Sequence, residues 1–274
     1  MLKSRVITAI IMLLLLLVAL FALPIAGWIA LVTVMALQGS LEWAKLSKLK
    51  TRASYVYWVM TLGVMLALVW FDATHSPEQQ MLMHLGIYGL SALLWLLIVP
   101  TWMIMGLKIH QPVIMAIVGW LVIIPTALAM LDLRSVSPWL LLFIMCLVWI
   151  ADISAYFAGR RFGKNKLAPS ISPGKTWEGV AGAMLGVSIY IVIVWSFSPN
   201  FAQREVLPVL LLASWWWVGL AVIGDLFESA IKRQAGVKDS GALLPGHGGL
   251  LDRIDALTST LPLAALVILL QHHA

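Results

Sequence analysis

The residues best suited to chemistry gather near the C-terminus of this chain, at the ends of two long apolar runs. Asp225, Glu228 and Lys232 are three and four residues apart, so on a helix they share one face. Asp252 and Asp255 form a second pair with the spacing of one helical face. Proteins usually hold Mg²⁺ with one or two carboxylates together with phosphate oxygens. The spacing therefore predicts a site for Mg²⁺ and a phosphate-bearing substrate.

Other polar residues could complete such a site. Asp152 and Tyr156 are four residues apart on an earlier apolar run, so three helices can direct carboxylates into one interior. Gly248 and Gly249 permit close backbone approach, and successive amides can cradle phosphate oxygens. Neighbouring lysines and arginines would neutralise the phosphate charge.

Simpler roles are open for several of these residues. Asp225 could be a structural partner of Lys232 or Arg253, and Asp252 could be an acid favoured at a helix start. Lys232 could simply flank a span and extend to the interface, and His247 could be a turn residue. The remaining alternatives are ion-pair roles for Glu228, Asp239 and Asp255, and solvated loop positions for Asp72, Glu78, Asp132 and Glu205.

Patterns for other kinds of catalysis are absent from the sequence. Gly174-Lys175-Thr176 resembles the end of a phosphate-binding P-loop, but Pro169 stands where that motif needs glycine. The chain has no CxxC, HExxH or GxSxG motif. Phosphoryl or nucleotidyl transfer fits best, because it depends on positioning and charge neutralisation more than on a covalent nucleophile.

Composition places these residues in a membrane protein. The 274 residues are 62% hydrophobic and only 11% charged, where a soluble domain is nearer half apolar and a quarter charged. The single cysteine, Cys146, excludes an intrachain disulfide framework. We expect an all-α, polytopic membrane protein forming one domain over residues 1–274. Nine spans are predicted, at residues 6–23, 25–41, 54–70, 81–104, 113–131, 139–158, 178–197, 207–231 and 254–271.

The basic residues predict how these spans are oriented. With the N-terminus in the cytoplasm, only Arg134 and Arg204 of the 18 lysines and arginines fall on the opposite side. The net charge of +6 is therefore explained by topology, and we expect no nucleic-acid partner. The first apolar run is too long for the core of a secretory signal and lacks an A-x-A site, so it is interpreted as an uncleaved span. Four basic residues after span two are topology determinants: Lys45, Lys48, Lys50 and Arg52.

The stretch from residue 229 to residue 255 resembles the signature of the phosphatidate cytidylyltransferase (CDP-diacylglycerol synthase) family. It reads Ser-Ala-Ile-Lys-Arg, then Lys-Asp-Ser-Gly, then Pro-Gly-His-Gly-Gly, then Asp-Arg-Ile-Asp, and every fixed element of the signature matches without a gap. The run Ser-Pro-Gly-Lys-Thr-Trp-Glu-Gly at 172–179 resembles a second motif of that family. The likeness is good over a catalytic half, about 139–274. Residues 1–138 match only in hydropathy.

The resemblance implies the transfer of CMP from CTP to phosphatidate, a step of phospholipid biosynthesis that yields CDP-diacylglycerol and pyrophosphate, with Mg²⁺ as cofactor. It also implies a homodimer in a bacterial inner membrane, with the active site facing the cytoplasm. The catalytic candidates are Asp225, Asp252, Lys232 and Arg253. The metal candidates are Asp225 and Asp252, supported by Asp255 and Glu228. The substrate-binding candidates are Ser172, Lys175, Thr176, Ser229, Arg233, Lys238, Asp239, His247, Gly248 and Gly249.

Two rival functions fit parts of the same pattern. A CTP-dependent kinase acting on a polyprenol-type lipid would need the same metal and CTP groups but an alcohol acceptor. An ion-coupled transporter would also keep acids among its spans, although such acids usually lie near the midplane rather than at one end.

Overall fold

A computed structural model describes residues 2–197, 206–243 and 248–271 of the chain. Helices dominate it, and one short pair of strands interrupts them. The helices are α1 (Leu2–Ala22), α2 (Ile25–Leu46), α3 (Thr51–Thr74), α4 (Pro77–Leu93), α5 (Val99–Met105), α6 (Pro112–Val136), α7 (Pro138–Phe162), α8 (Trp177–Phe197), α9 (Leu207–Ala235) and α10 (Leu251–Gln271). The strands are β1 (Lys166–Ala168) and β2 (Ser172–Thr176).

The prediction of an all-α, polytopic membrane protein is confirmed. Among the described residues, eight helices are long and apolar enough to cross a membrane, and α1 adds a shorter apolar stretch, Ile10–Ala22. Each of the nine predicted spans coincides with one of these helical segments. Several helices extend a few residues beyond the predicted span, because a helix can continue past the hydrocarbon while its side chains become polar.

Local sequence signals explain where the helices begin and end. Prolines occupy the first turn of α4, α6, α7 and α9, where a missing N–H costs nothing. Ser76 and Gln79 form a reciprocal capping box at the start of α4. Gly106 and Gly236 end α5 and α9 in the left-handed conformation, which glycine adopts without strain.

Segment Leu94–Ile98 forms a π-helical turn that joins α4 to α5 into one continuous span, Pro77–Met105. Pro100 lies two residues after the end of this turn. Proline has no N–H to donate back into the helix, and a wider turn is one way for a helix to absorb that loss. Hydropathy alone predicted the span but gave no indication of the turn.

The two strands form a small antiparallel ribbon between α7 and α8, with Lys166 opposite Thr176 and Ala168 opposite Ser172. The sequence analysis predicted no strand here. Gly174-Lys175-Thr176, which resembled the end of a P-loop, lies within β2, and α8 begins directly after Thr176.

Helix α10 lies at the centre of the bundle, where it packs against α2, α4, α6, α7 and α9. Its middle is buried almost continuously from Ala256 to Ala265. Trp43 of α2 is also buried and donates a hydrogen bond from Nε1 to the Met115 carbonyl, 2.6 Å away. Helices from the N-terminal half of the chain therefore enclose the two helices that carry the predicted site.

A separate polar cluster occupies the far end of α3, away from the predicted site. His84 contacts Asp72 through Nε2 at 3.0 Å and Asp132 through Nδ1 at 2.7 Å. The hydroxyl of Tyr88 donates to the same Asp132 oxygen at 2.6 Å. The expectation that Asp72 and Asp132 are solvated loop charges was therefore wrong, because a buried histidine and a buried tyrosine bind them and tie α3, α4 and α6 together.

Candidate active site

Helix α9 presents its polar face towards the strand ribbon. Asp225 accepts an ion pair from Lys175 of β2, with Oδ2 and Nζ 2.6 Å apart. Its other oxygen accepts a hydrogen bond from Ser229 one turn further along, at 3.3 Å. The structure thus brings Asp225, Ser229 and Lys175 together, although Lys175 lies 50 residues away along the chain. The alternative pairing of Asp225 with Lys232 is not seen.

Lys232 lies one turn beyond Glu228 and reaches across to α10. Its ammonium group donates to Asp252 Oδ1 at 2.6 Å and lies 3.2 Å from Glu228 Oε1. Both Lys232 and Glu228 are buried. Removing either partner of such a buried pair would leave an uncompensated charge, which is strongly unfavourable. Lys232 is therefore more than a snorkelling residue at the end of a span.

The second oxygen of Asp252 organises the loop before α10. Oδ2 accepts hydrogen bonds from the Ser240 amide at 2.8 Å, the Ser240 hydroxyl at 2.9 Å and the Gly249 amide at 2.8 Å. Asp252 stands in the first turn of α10, where a negative charge is favoured. Both its oxygens are thus engaged by the protein, and a metal bound there would have to displace at least one of these contacts.

Glu42 of α2 is the residue of the site that sequence reasoning missed. Its buried carboxylate accepts hydrogen bonds from the Leu250 and Leu251 amides, each at 2.9 Å, and from the Ser240 hydroxyl at 2.8 Å. Gln38 adds a fourth donor at 2.9 Å. Glu42 therefore caps the start of α10 from the N-terminal half of the chain. The one available signal was that Glu42 is the only acidic residue before Asp72.

The Ser240 hydroxyl stands between two carboxylates. It lies within hydrogen-bond distance of both Glu42 Oε2 and Asp252 Oδ2, but a hydroxyl carries a single hydrogen. It therefore serves the two acids in turn or shares one hydrogen between them. Through its contact with Glu42, Ser240 links α2 to the loop before α10.

Glycines let the loop pass close to these acids. Gly248 has φ of +80°, and a Cβ there would come within 2.6 Å of Asp252 Oδ2. A Cβ on Gly249 would collide with the Ser240 hydroxyl and Glu42 Oε2. Both positions require glycine for close packing around carboxylates. The binding of substrate phosphate by the amides of Gly248 and Gly249 stays a prediction.

Four carboxylates from three helices form what we call the acid cluster, namely Asp152 of α7, Asp225 and Glu228 of α9, and Asp255 of α10. Asp225 interacts electrostatically with each of the other three, and Asp255 does so as well. Among the described residues, no three side chains of His, Cys, Asp or Glu are arranged as a preformed metal site. The oxygen-only donor set nevertheless fits Mg²⁺, which commonly takes one or two carboxylates and completes its shell with water and substrate phosphate. Glu228 Oε1 is buried and lies 3.2 Å from the Lys232 ammonium group.

The other predicted site residues lie in varied places. Thr176 is buried, and its hydroxyl accepts from the Gly179 amide at 3.1 Å, so it caps the start of α8. Arg233 points away from the acid cluster and donates to the Val237 carbonyl. Ser172 begins β2, and Arg253 is exposed in the first turn of α10. Lys238 and Asp239 are exposed beyond the end of α9. His247 lies outside the described residues.

The apolar helices indicate an integral membrane protein. Its carboxylates, lysines and glycine loop lie together at one end of the bundle. The chain belongs to the cytidylyltransferase family, whose model matches residues 3–271. The match covers both halves of the chain. The prediction that residues 1–138 are the less family-like half stays a prediction.

Relatives with similar sequences carry one name. The chain is 36% identical to a phosphatidate cytidylyltransferase of Haemophilus influenzae over 96% of each chain. It is 35% identical to a phosphatidate cytidylyltransferase of Pseudomonas aeruginosa, over 98% of this chain and 97% of the relative. A phosphatidate cytidylyltransferase of Thermotoga maritima is 41% identical over 46% of this chain. These findings give no support to the rival kinase or transporter.

Proposed function

We propose that this protein transfers the cytidylyl group of CTP to phosphatidate and releases pyrophosphate. One observation carries the proposal: the acid cluster and its two lysines converge in a chain that aligns end to end with two phosphatidate cytidylyltransferases. Acids and lysines so close together suit a reaction in which several phosphate groups meet and must be neutralised.

The chain's own residues account for most of what such a transfer needs. Lys175 and Lys232 are held against acids and can turn towards phosphate oxygens when substrate arrives. A phosphate oxygen of phosphatidate attacks the α-phosphorus, a new P–O bond forms, and the bond to the β-phosphate oxygen breaks so that pyrophosphate leaves. No protein base is needed, because a phosphate monoester with a second pKa of about 6 is largely ionised at neutral pH.

We further propose Mg²⁺ as the cofactor, held by Asp225 and Asp255 with Glu228 in support. The proximity of these carboxylates supports the assignment, since clustered negative charges are relieved by a divalent cation. When bound, Mg²⁺ would neutralise charge on the triphosphate. For Asp252, which was also predicted as a ligand, the contacts with Lys232 and the loop amides favour a role in positioning Lys232.

The orientation and setting are proposals as well. The distribution of basic residues supports a cytoplasmic N-terminus and an acid cluster facing the cytoplasm. The bacterial relatives support a location in a bacterial inner membrane. A homodimer is proposed from the family resemblance, and the mass of the purified protein in lipid nanodiscs would test it.

Labelled CTP tests the function directly. Purified protein is given phosphatidate, Mg²⁺ and CTP that carries ³²P at either the α or the γ position. We expect lipid to become labelled only from α-labelled CTP, and label from the γ position to appear in pyrophosphate. Transfer of γ-label to lipid would instead show kinase chemistry. Lipid left unlabelled by both nucleotides, with folded protein, would contradict the proposal.

A further inference from the structure

A cavity of about 410 Å³ lies beside the end of α9, and we call it the basic cavity. Three parts of the chain enclose it: the end of α5 with the loop that follows, the turn of the strand ribbon, and the last turns of α9. Its volume falls in the range typical of ligand pockets. Arg233, predicted as a substrate-binding residue, is the one predicted site residue among the described residues that line it.

The basic cavity lies on the opposite side of α9 from the acid cluster. At 100° per residue, Ala230, Arg233 and Gln234 face on average about 140° away from the stripe that carries Asp225 and Lys232, and Gln234 lies almost opposite it. A helix with its side chains is about 10 Å across, so a group bound in the cavity is separated from the acid cluster by the body of α9. The cavity is therefore a place distinct from the proposed reaction centre.

Its wall combines positive charge with apolar surface. Lys108 and Arg233 line it, and His110 adds an imidazole. Among the described residues, no acidic side chain lines the cavity and no carboxylate pairs with Lys108 or Arg233. Trp102, Leu107, Met103, Ile171 and Ile231 supply apolar surface. Such a wall suits a ligand with an anionic head and a hydrocarbon body.

The loop that carries Lys108 is fixed at both ends. Gln234 of α9 forms two hydrogen bonds with the backbone of Ile109. Gln234 Nε2 donates to the Ile109 carbonyl at 2.5 Å, and the Ile109 amide donates to Gln234 Oε1 at 3.2 Å. Trp102 donates to the Leu107 carbonyl at 2.8 Å. Lys108 lies between these anchors, so its backbone is positioned before any ligand arrives, which reduces the entropic cost of binding.

Exposed apolar residues beside the cavity provide a surface against which an acyl chain can pack. Ile104 and Met105, just before the loop, are 86% and 65% exposed, as expected of side chains that meet lipid. Basic pockets between spanning helices, close to the cytoplasmic boundary, commonly bind anionic headgroups. We propose that the basic cavity binds the phosphate headgroup of an anionic phospholipid, at a site separate from the one where phosphatidate reacts.

Native mass spectrometry of the purified protein in mild detergent tests this by counting retained lipid. The added lipids are phosphatidylglycerol, phosphatidate and phosphatidylethanolamine, each tested alone and again with inorganic phosphate as competitor. We expect both anionic lipids to be retained more tightly than phosphatidylethanolamine, and millimolar phosphate to leave them bound. Equal retention of all three lipids would overturn the proposal. So would displacement by free phosphate, or retention of phosphatidate alone.

Three variants test whether the retained lipid binds in the basic cavity. Lys108→Ala should weaken retention of phosphatidylglycerol about fivefold, which corresponds to about 1 kcal/mol per basic residue. Lys50→Ala removes an exposed lysine at the start of α3 and should leave retention unchanged. Ala230→Phe fills the cavity without altering charge and should also weaken retention. Equal effects of Lys108→Ala and Lys50→Ala, or full retention by a folded Ala230→Phe, would remove the lipid from this site.

The outcome is independent of the proposed reaction, because retention is measured without CTP. A protein that loses lipid retention in Lys108→Ala but still transfers α-label supports both proposals. A protein that transfers no label yet retains anionic lipid through Lys108 contradicts only the proposed reaction.

Discussion

Asp225 and Asp252 occupy similar positions on neighbouring helices, yet the structure gives them different surroundings. Asp225 pairs with Lys175 from the strand ribbon and lies among other acids. Asp252 is bound by Lys232 and by the loop before α10. The sequence predicted both as equivalent metal ligands, since helical spacing shows which residues share a face but not which partner each one meets.

Replacement of Asp225 by asparagine tests the more open of the two acids. Asp225→Asn keeps the shape but removes the charge that Lys175 and a bound Mg²⁺ would need, so we expect the rate of CMP transfer to fall by about 100-fold or more. Lys45→Ala changes one charge at an exposed position and should matter far less. Near-normal transfer by a folded Asp225→Asn variant would remove this residue from the metal site.

Glu42 was missed because its partners in the loop and in α10 are 198 to 209 residues away in sequence. A lone acid after a predicted span gives no sign of what it will meet, and only the packing of α2 against the loop makes it part of the site.

Glu42→Gln should show how much this contact matters. The amide replaces an acceptor oxygen by an NH₂ group facing backbone donors, and a buried donor left unpaired costs about 1–3 kcal/mol. We expect a lower melting temperature in detergent and slower CMP transfer. Glu78→Gln alters an exposed acid at the start of α4 and serves as the control. If the two variants melt and react alike, Glu42 does not hold the loop.

At the level of the elements, each predicted apolar run corresponds to a helical segment, and eight of these helices are long and apolar enough to cross a membrane among the described residues. The strand ribbon was not predictable in the same way. Its strands have three and five residues, β2 contains Pro173 and Gly174, and both residue types are depleted in strands. The ribbon nevertheless contributes to the site, since it positions Lys175 beside Asp225.

Two glycines of α9 give a matched test of how closely α9 and α10 must approach. A Cβ on Gly224 would lie 2.5 Å from the Ser259 hydroxyl and 2.8 Å from the Asp255 carbonyl, so Gly224→Ala should force the helices apart at a cost of about 1–3 kcal/mol. A Cβ on Gly219 meets nothing within 4 Å, and Gly219→Ala should be neutral or stabilising by up to about 1 kcal/mol. Melting temperature and CMP transfer should fall together in Gly224→Ala alone. Equal behaviour of the two variants would show that the close contact is not required.

For the molecule as a whole, the two halves of the chain build one site. The likeness found in the sequence drew attention to residues 139–274, but α2 supplies Glu42, which binds the loop before α10. Hydropathy describes such helices as similar apolar rods, and their individual contributions become visible only when the bundle is assembled.

The orientation of the bundle is testable because the chain has a single cysteine. In a Cys146→Ala background, Lys164→Cys places a thiol on the exposed segment before β1, and Glu78→Cys places one at the start of α4. The basic residues predict that these positions lie on opposite sides of the membrane. In intact cells whose outer barrier has been removed, a membrane-impermeant maleimide should label Glu78→Cys at once and Lys164→Cys only after lysis. The reverse pattern would place the acid cluster outside the cytoplasm, where CTP is not supplied, and would contradict the proposed orientation. Labelling of both thiols before lysis would show that the two segments share the outer side and that the assigned span count between them is wrong.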